Sequence, residues 1–287
     1  MQKFIRVNGV PRRALELVGH LNAVMFSADD LELVYGSPSV RRRYLDILVS
    51  QFDRQYLRTL QSYQRVVTQR NHLLKSLNEG RARVGELDFW DDELTTKAAY
   101  ITSRRIETLA ALSELARPTH EDLTGNGERL ELIYQPTVPF DADASEDERV
   151  EQLKEALRSA QPREIAQGMT LYGTHRDDLQ LLIDDMDAGT FASRGQSRTI
   201  VMAMKLAEAR HLQDRRGQQP ILLLDDVLSE LDATRRVHIL EQALQYEQVF
   251  VTTADVGSID QRFLHRSHRF VVQQGRVEPV DVETNES

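Results

Sequence analysis

From Val40 to Leu77 apolar side chains recur at steps of three and four residues: Val40, Tyr44, Leu48, Phe52, Tyr56, Leu60, Tyr63, Val67, Leu74 and Leu77. That spacing gives a helix one continuous apolar face. Ser37-Pro38 in front of it reads as a cap followed by proline at the first helical position. Gly80 and Gly85 interrupt the pattern, and a second helical run extends from about Trp90 to Leu115, with Leu94, Ala98, Ile101, Leu109 and Leu112 on one face. Pro118 is expected to end it. Two long helices joined by a short glycine-containing turn predict an antiparallel helical hairpin.

Elsewhere the period shortens to two. Lys3 to Val7 alternates like a strand, Asn8-Gly9 is a hairpin turn signal, and Asn22 to Phe26 is a further strand candidate. Short strand-like runs appear at Arg129 to Tyr134, Met169 to Tyr172 and Leu179 to Ile183, and the acidic stretch Asp141 to Glu148 is expected to be a solvated loop. After Phe191 the pattern becomes α/β. A helix is predicted from about Gln196 to Leu212, then an apolar strand Ile221 to Leu224 ending in Asp225-Asp226, a helix Thr234 to Tyr246 and a strand Val249 to Thr252. Runs at Arg269 to Val272 and Arg276 to Val280, either side of Gly275, predict a terminal hairpin. Apolar strands joined by helices imply a mostly parallel sheet. No internal repeat or low-complexity tract is present.

Composition adds exclusions. The 287 residues are 40% hydrophobic and 28% charged, which is ordinary for a globular chain able to bury a substantial core. No apolar run approaches the roughly 20 residues that span a bilayer, and the first residues do not form a secretory leader. Cysteine is absent, so disulfides and thiolate metal sites are excluded and a cytoplasmic location is expected. The net charge is −9, but its distribution is uneven. Residues 41–75 carry eight Lys/Arg against two Asp/Glu, whereas residues 121–160 carry eleven Asp/Glu against four Lys/Arg.

Four short motifs then follow in order. Ser193-Arg194-Gly195-Gln196 stands directly before the first α/β helix. A serine hydroxyl, a glycine that admits close backbone approach and the free N–H groups of a helix start together favour a phosphate. The strand 221–224 delivers Asp225 and Asp226 to the rim where α/β sheets bind ligands. One carboxylate there can hold Mg²⁺ and the next can orient or deprotonate a water. Ser229-Glu230-Leu231-Asp232 and Thr252-Thr253-Ala254-Asp255 complete the series. Each is weak alone; the first is otherwise an ordinary cap and the second an ordinary strand end.

The order resembles the ABC ATPase superfamily: signature, Walker B, D-loop and switch strand. The resemblance implies an α/β ABC-type ATPase head with a P-loop NTPase-like sheet and an inserted helical-hairpin lobe. It also implies that Ser193, Gly195 and Gln196 contact the γ-phosphate of ATP held by a second subunit. Asp225 would ligate Mg²⁺ and Asp226 would stand at the catalytic Glu position. Ser229 and Asp232 would lie at the dimer seam, with Thr253 in place of the switch histidine. A shorter Asp226 and an uncharged Thr253 imply slow hydrolysis. No G-x-x-x-x-G-K-[ST] occurs in the chain, so the Walker A cradle for the β- and γ-phosphates is missing. With the abrupt opening at Met1, the expectation is a chain lacking the N-terminal part that carries that loop.

Within the superfamily the chain resembles the RecF family of bacterial recombination mediators. The matching stretches are Phe26 to Leu33, Gly36-Ser37-Pro38 with Arg41 to Asp46, Gln69 to Asn71 with Leu73 to Lys75, Gly173 to Leu179, the 193–196 motif and Leu224 to Asp232. The domains implied are 1–36 as the remainder of an N-terminal lobe, 37–125 as a helical arm, 126–192 as connecting strands and 193–287 as the C-terminal ATPase lobe. The family implies DNA repair and replication under DNA damage and the SOS response. It further implies an ATP-dependent homodimer, binding to single-stranded and gapped or junction duplex DNA, and joint work with RecO and RecR in loading RecA, without a membrane. DNA-contact candidates are Arg12 and Arg13 beside the Asn8-Gly9 turn, and Arg41, Arg42 and Arg43, whose other readings are a solvated helix start or internal ion pairs with the acidic 141–151 region. The His175 to Asp178 run reads as a phosphate contact or as a buried ion-pair network. The alternative for the whole chain is a nucleotide-independent ABC-like scaffold or binding module.

Overall fold

A computed structural model describes residues 4–125, 127–141 and 144–280. Lys3 of the first strand expectation, Asn126 and residues 142–143 of the acidic loop lie outside them. In chain order the elements are β1 (Ile5–Val7), β2 (Val10–Arg12), α1 (Ala14–Leu17), β3 (Ala23–Phe26), α2 (Glu32–Tyr35), α3 (Pro38–Phe52), α4 (Arg54–Asn78), α5 (Leu87–Thr124), β4 (Leu130–Gln135) and α6 (Glu146–Gln167). They continue with β5 (Asp178–Ile183), β6 (Met186–Asp187), α7 (Ala188–Phe191), α8 (Arg194–Arg216), β7 (Ile221–Asp225), α9 (Ala233–Ala243), β8 (Val249–Thr252), α10 (Gln261–Leu264), β9 (Phe270–Gln273) and β10 (Arg276–Pro279). The chain splits into two compact units, Met1–Val24 with Asp29–Pro220, and Met25–Ala28 with Ile221–Ser287. Among the described residues no helix is long and apolar enough to cross a membrane.

The first unit is built on helices. The run expected as one helix over 40–77 is two, because Asp53 adopts an extended backbone (φ −119°, ψ 100°) that ends α3 and caps α4 by accepting from Tyr56 N at 2.9 Å. Its other oxygen accepts from Tyr100 Oη at 3.0 Å, so the break is locked against α5. Pro118 does not end α5. The helix runs six residues further and stops at Gly125 in the left-handed region (φ 66°). Proline inside a helix costs about 3 kcal/mol, and here Ala116 and His120, fully buried on either side of it, hold the last turns in place.

The expected loop ends early, because Ser145 and Glu148 form a reciprocal capping box that starts α6. α6 turns the expected two-helix arm into a layer of several helices. Leu153 and Leu157 join Tyr56, Tyr63, Leu94, Ala98 and Ile101 in one apolar cluster, each large side chain contributing about 1.5–3 kcal/mol on full burial. Met169 to Tyr172 is not a strand. Two of its N–H groups go to side chains, Thr170 N to Asn71 Oδ1 and Leu171 N to Glu164 Oε1, both at 2.7 Å, and Met169 N goes back to the carbonyl of Glu164 at 3.2 Å. β4, β5 and β6 form an antiparallel sheet in which Leu130 faces Ile183 and Leu132 faces Leu181.

The second unit carries the parallel pairing. β7 lies between β3 and β8, and it pairs with β8 in parallel, Leu222 opposite Val249 and Asp225 opposite Thr252. α9 links these two strands, which is the βαβ arrangement the apolar run implied. β9 and β10 form the expected hairpin around Gln274 and Gly275, both left-handed.

Candidate functional site

Ser193 is the N-cap of α8. Its backbone is extended (φ −67°, ψ 162°), its Oγ accepts from Gln196 N at 3.2 Å, and Gln196 Oε1 returns the bond to Ser193 N at 2.8 Å. The box uses an acceptor lone pair of Ser193 and leaves the hydroxyl hydrogen of this exposed residue free to donate. Gly195 has an ordinary helical backbone, and a Cβ built on it would meet only Ser193 Oγ, at 3.9 Å. Neither φ nor internal packing requires glycine there; the free space faces outward. Gln196 is different. Its Nε2 donates one hydrogen to Glu128 Oε1 at 2.8 Å, so each end of the amide has a partner within the chain, and the second Nε2 hydrogen is not used by that bond. Gln196 thus helps to build the turn on which Ser193 and Gly195 stand.

In the second unit β7 ends at Asp225, and Asp226 turns out of the sheet in the left-handed region (φ 52°, ψ 16°). Asp tolerates this conformation better than most residues, at a cost of order 1 kcal/mol. The two carboxylates are tied by Thr252, the first residue of the fourth motif, to which the resemblance gave no role. Thr252 Oγ1 donates to Asp225 Oδ1 at 2.6 Å and accepts from Asp226 N at 3.0 Å. Its position opposite Asp225 in the β7–β8 register is the signal that would have found it. Thr253 does not touch the pair; its hydroxyl closes a local turn with Asp255 N at 3.1 Å. Ser229 Oγ donates to Asp226 O at 2.8 Å. Asp232 caps α9 through Arg235 N at 3.0 Å and pairs with the Arg235 side chain. The backbone bond from Arg235 holds its carboxyl below the usual range.

No group of three or more His, Asp or Glu side chains suited to a metal occurs among the described residues. The exposed Asp225 and Asp226 thus fit a cation that draws most of its ligands from elsewhere. Mg²⁺ does this when it keeps waters and takes phosphate oxygens.

The basic candidates divide. Arg41 is committed inside the first unit: Nε and Nη2 each reach a different oxygen of Asp178 at 2.8 Å, and Nη1 reaches Gly36 O at 2.7 Å. Its ion pair is internal but with Asp178 and not with the acidic 141–151 region, and a fork spent on a carboxylate is not available to a phosphate. Arg42 is half-buried and donates to Asp177 O at 2.6 Å. Arg12, Arg13 and Arg43 are exposed.

The 175–178 run is a network. Asp177 is buried and accepts from Tyr134 Oη, Thr137 N and Thr137 Oγ1 at 2.7–2.8 Å. Arg105, also buried, spans Asp46, Tyr56, Tyr134 and the carbonyl of Thr174 at 2.8–3.2 Å. A second buried guanidinium, Arg70, joins Glu164 at 2.7 Å and Asp91 at 2.6 Å. Burial raises the Asp91 carboxyl despite that partner.

No family model matches the chain. Curated relatives do. It is 39% identical over 281 residues to the DNA replication and repair protein RecF of Chloroflexus aggregans, covering 96% of this chain and 72% of the relative. It is 42% identical over 274 residues to that of Moorella thermoacetica, covering 96% and 71%. Two solved structures of the recombination mediator protein RecF in the RecFOR pathway, one with ATPrS and one with ATP, superpose with a TM-score of 0.88 at 30% identity. They cover 98% of this chain and 74% and 73% of theirs.

Proposed function

The chain belongs to the RecF family of DNA replication and repair proteins, and on that premise we propose that it offers the signature half of a composite ATP site to a second subunit. In this reading Ser193 Oγ and the backbone N–H of Gly195 bind the γ-phosphate of ATP held by the second subunit's Walker A loop. Asp225 and Asp226 form the Walker B side, which serves a different nucleotide from the one the signature meets: there Asp225 would ligate Mg²⁺ and Asp226 would orient the attacking water, while Thr252 keeps the two carboxylates in register. Ser229 and Asp232 lie at the subunit seam, and Thr253 supports the switch strand. The observation that carries it is the open approach at Gly195, where nothing inside the chain would exclude a side chain and yet none is present.

Association driven by ATP serves DNA binding at single-strand gaps and junctions, together with RecO and RecR in loading RecA. Arg43, with Arg12, Arg13 and the half-buried Arg42, supplies the phosphate contacts; Arg41 is withdrawn from that set. Phosphate contacts of this kind position a protein without reading sequence.

The test is nucleotide-dependent capture. The chain alone should not retain labelled ATP at micromolar concentration in equilibrium dialysis, because it has no phosphate-gripping loop. It should associate with a RecF relative bearing that loop in ATPγS and not in ADP. Equal association in both nucleotides would favour the scaffold reading, and no association in either would remove the composite site.

A further inference from the structure

Gln196 is held at both ends of its amide, by Ser193 N on Oε1 and by Glu128 Oε1 on Nε2, each at 2.8 Å. The two bonds need opposite atoms, so the amide has one orientation. A flipped amide would set its NH₂ against an N–H and its oxygen against a carboxylate.

Glu128 is itself tethered. Its carbonyl is 3.4 Å from Nδ1 of His120, a fully buried residue near the end of α5. A carbonyl only accepts, so Nδ1 carries the hydrogen, and burial lowers the pKa of this ring. The next residue, Arg129, exchanges bonds with Asp184 between β5 and β6: N to Oδ1 at 2.9 Å and Asp184 N to Arg129 O at 3.0 Å. The turn that carries Ser193 and Gly195 is thus fastened, through one carboxylate, to the end of the long helix and to the antiparallel sheet.

The second oxygen of Glu128 is the informative part. Oε2 is buried with no hydrogen-bond partner and lies 3.9 Å from His120 Nε2, which is also unpartnered. With the hydrogen on Nδ1, both are acceptors facing each other. An unpaired buried acceptor costs stability, so this carboxylate is poorly placed for folding and well placed for holding one amide.

We propose that Glu128 is a positioning residue for ATP-dependent association: by clamping Gln196 it sets the direction in which the Ser193 hydroxyl and the Gly195 N–H face an incoming γ-phosphate. The inference rests on the α8 reading given under Proposed function. The test compares Glu128→Ala and Glu128→Gln with the unaltered chain. The readouts are hydrogen exchange along α8 and ATPγS-dependent capture by a RecF relative bearing a Walker A loop.

Loss of one hydrogen bond to a charged group corresponds to roughly tenfold in an equilibrium. Glu128→Ala should therefore raise exchange at residues 193–197 and weaken capture, each by about tenfold, while residues 200–212 keep their protection. Glu128→Gln should stay within about twofold of the unaltered chain, because its carbonyl accepts the same bond and its NH₂ can face His120 Nε2.

Full-strength capture by Glu128→Ala overturns the proposal. So does a loss of protection spread along all of α8, or failure of Glu128→Gln to restore capture. Absence of capture by the unaltered chain is a different failure, since it removes the α8 reading and this inference with it.

Discussion

Lowering the pH should cost this chain stability through the buried imidazole of His175. His175 Nδ1 is 2.7 Å from Tyr63 Oη and its Nε2 is 3.3 Å from the carbonyl of Thr170. The carbonyl only accepts, so Nε2 carries the hydrogen and Nδ1 accepts from Tyr63. A second proton would force the tyrosine to stop donating. Burial is the main cause that lowers His175 from the ordinary 6.5 to about 4, with Arg176 and Arg42 acting in the same direction against Thr170 and Asp177. Burial likewise holds the Tyr63 phenol at about 12, so the pair stays neutral at physiological pH.

The sign follows from which state binds the proton first. The unfolded chain takes it up near 6.5 and the folded chain only near 4. The contribution of neutral His175 is therefore complete above 6.5 and is lost as the pH falls towards 4. The full window corresponds to about 3 kcal/mol, and about 2 kcal/mol of it is gone by pH 5. Urea titrations at pH 8 and pH 5, at fixed ionic strength, measure the loss in the chain and in His175→Gln. The difference between the two losses isolates His175. His120 and His211, lowered by burial, and Asp91 and Glu208, raised by it, act alike in both proteins. An identical loss in both, or a His175 imidazole titrating near 6.5 by NMR, would refute the reasoning.

Arg105→Met should destabilise by about 3–5 kcal/mol, since it takes the cation away from Asp46 and removes the donor to the Thr174 carbonyl; thermal or urea unfolding reads it. Asp226→Ala should cost about 1 kcal/mol more stability than Asp226→Asn, because Asn accepts the left-handed backbone better, and equal stabilities would contradict the strain. Gly195→Val should leave the unfolding midpoint nearly unchanged and abolish ATPγS-dependent capture, given the free space at that Cβ. Arg43→Gln should reduce the slope of log affinity for gapped duplex against log salt by about 1. Arg41→Gln should lower stability instead, through loss of Asp178.

Much of this was legible in the one-dimensional pattern. Periodicities of 3.6 and 2 depend only on which residues an element must turn inward, so α8, α9, β7, β8 and both hairpins follow from spacing. The Ser193 and Asp225 motifs are contiguous and can be read in a single window. What escaped depended on partners distant in sequence. Asp53 breaks a helix because Tyr100 and Arg104 take up its carboxylate. α5 outruns Pro118 because Ala116 and His120, on either side of it, are buried. α6 hid behind its charged face, although Ser145 and Glu148 carried the capping signal.

The candidate site shows the same division. Chain order alone places a serine, a glycine and a pair of carboxylates at the starts and ends of particular elements, because those positions are local. Only the folded chain decides that Arg41 serves Asp178, 137 residues away, that Thr252 rather than Thr253 bridges the two aspartates, and that Gln196 answers to Glu128. A hydrogen bond fixes its partners by distance and direction in space, and neither is written in the order of the residues.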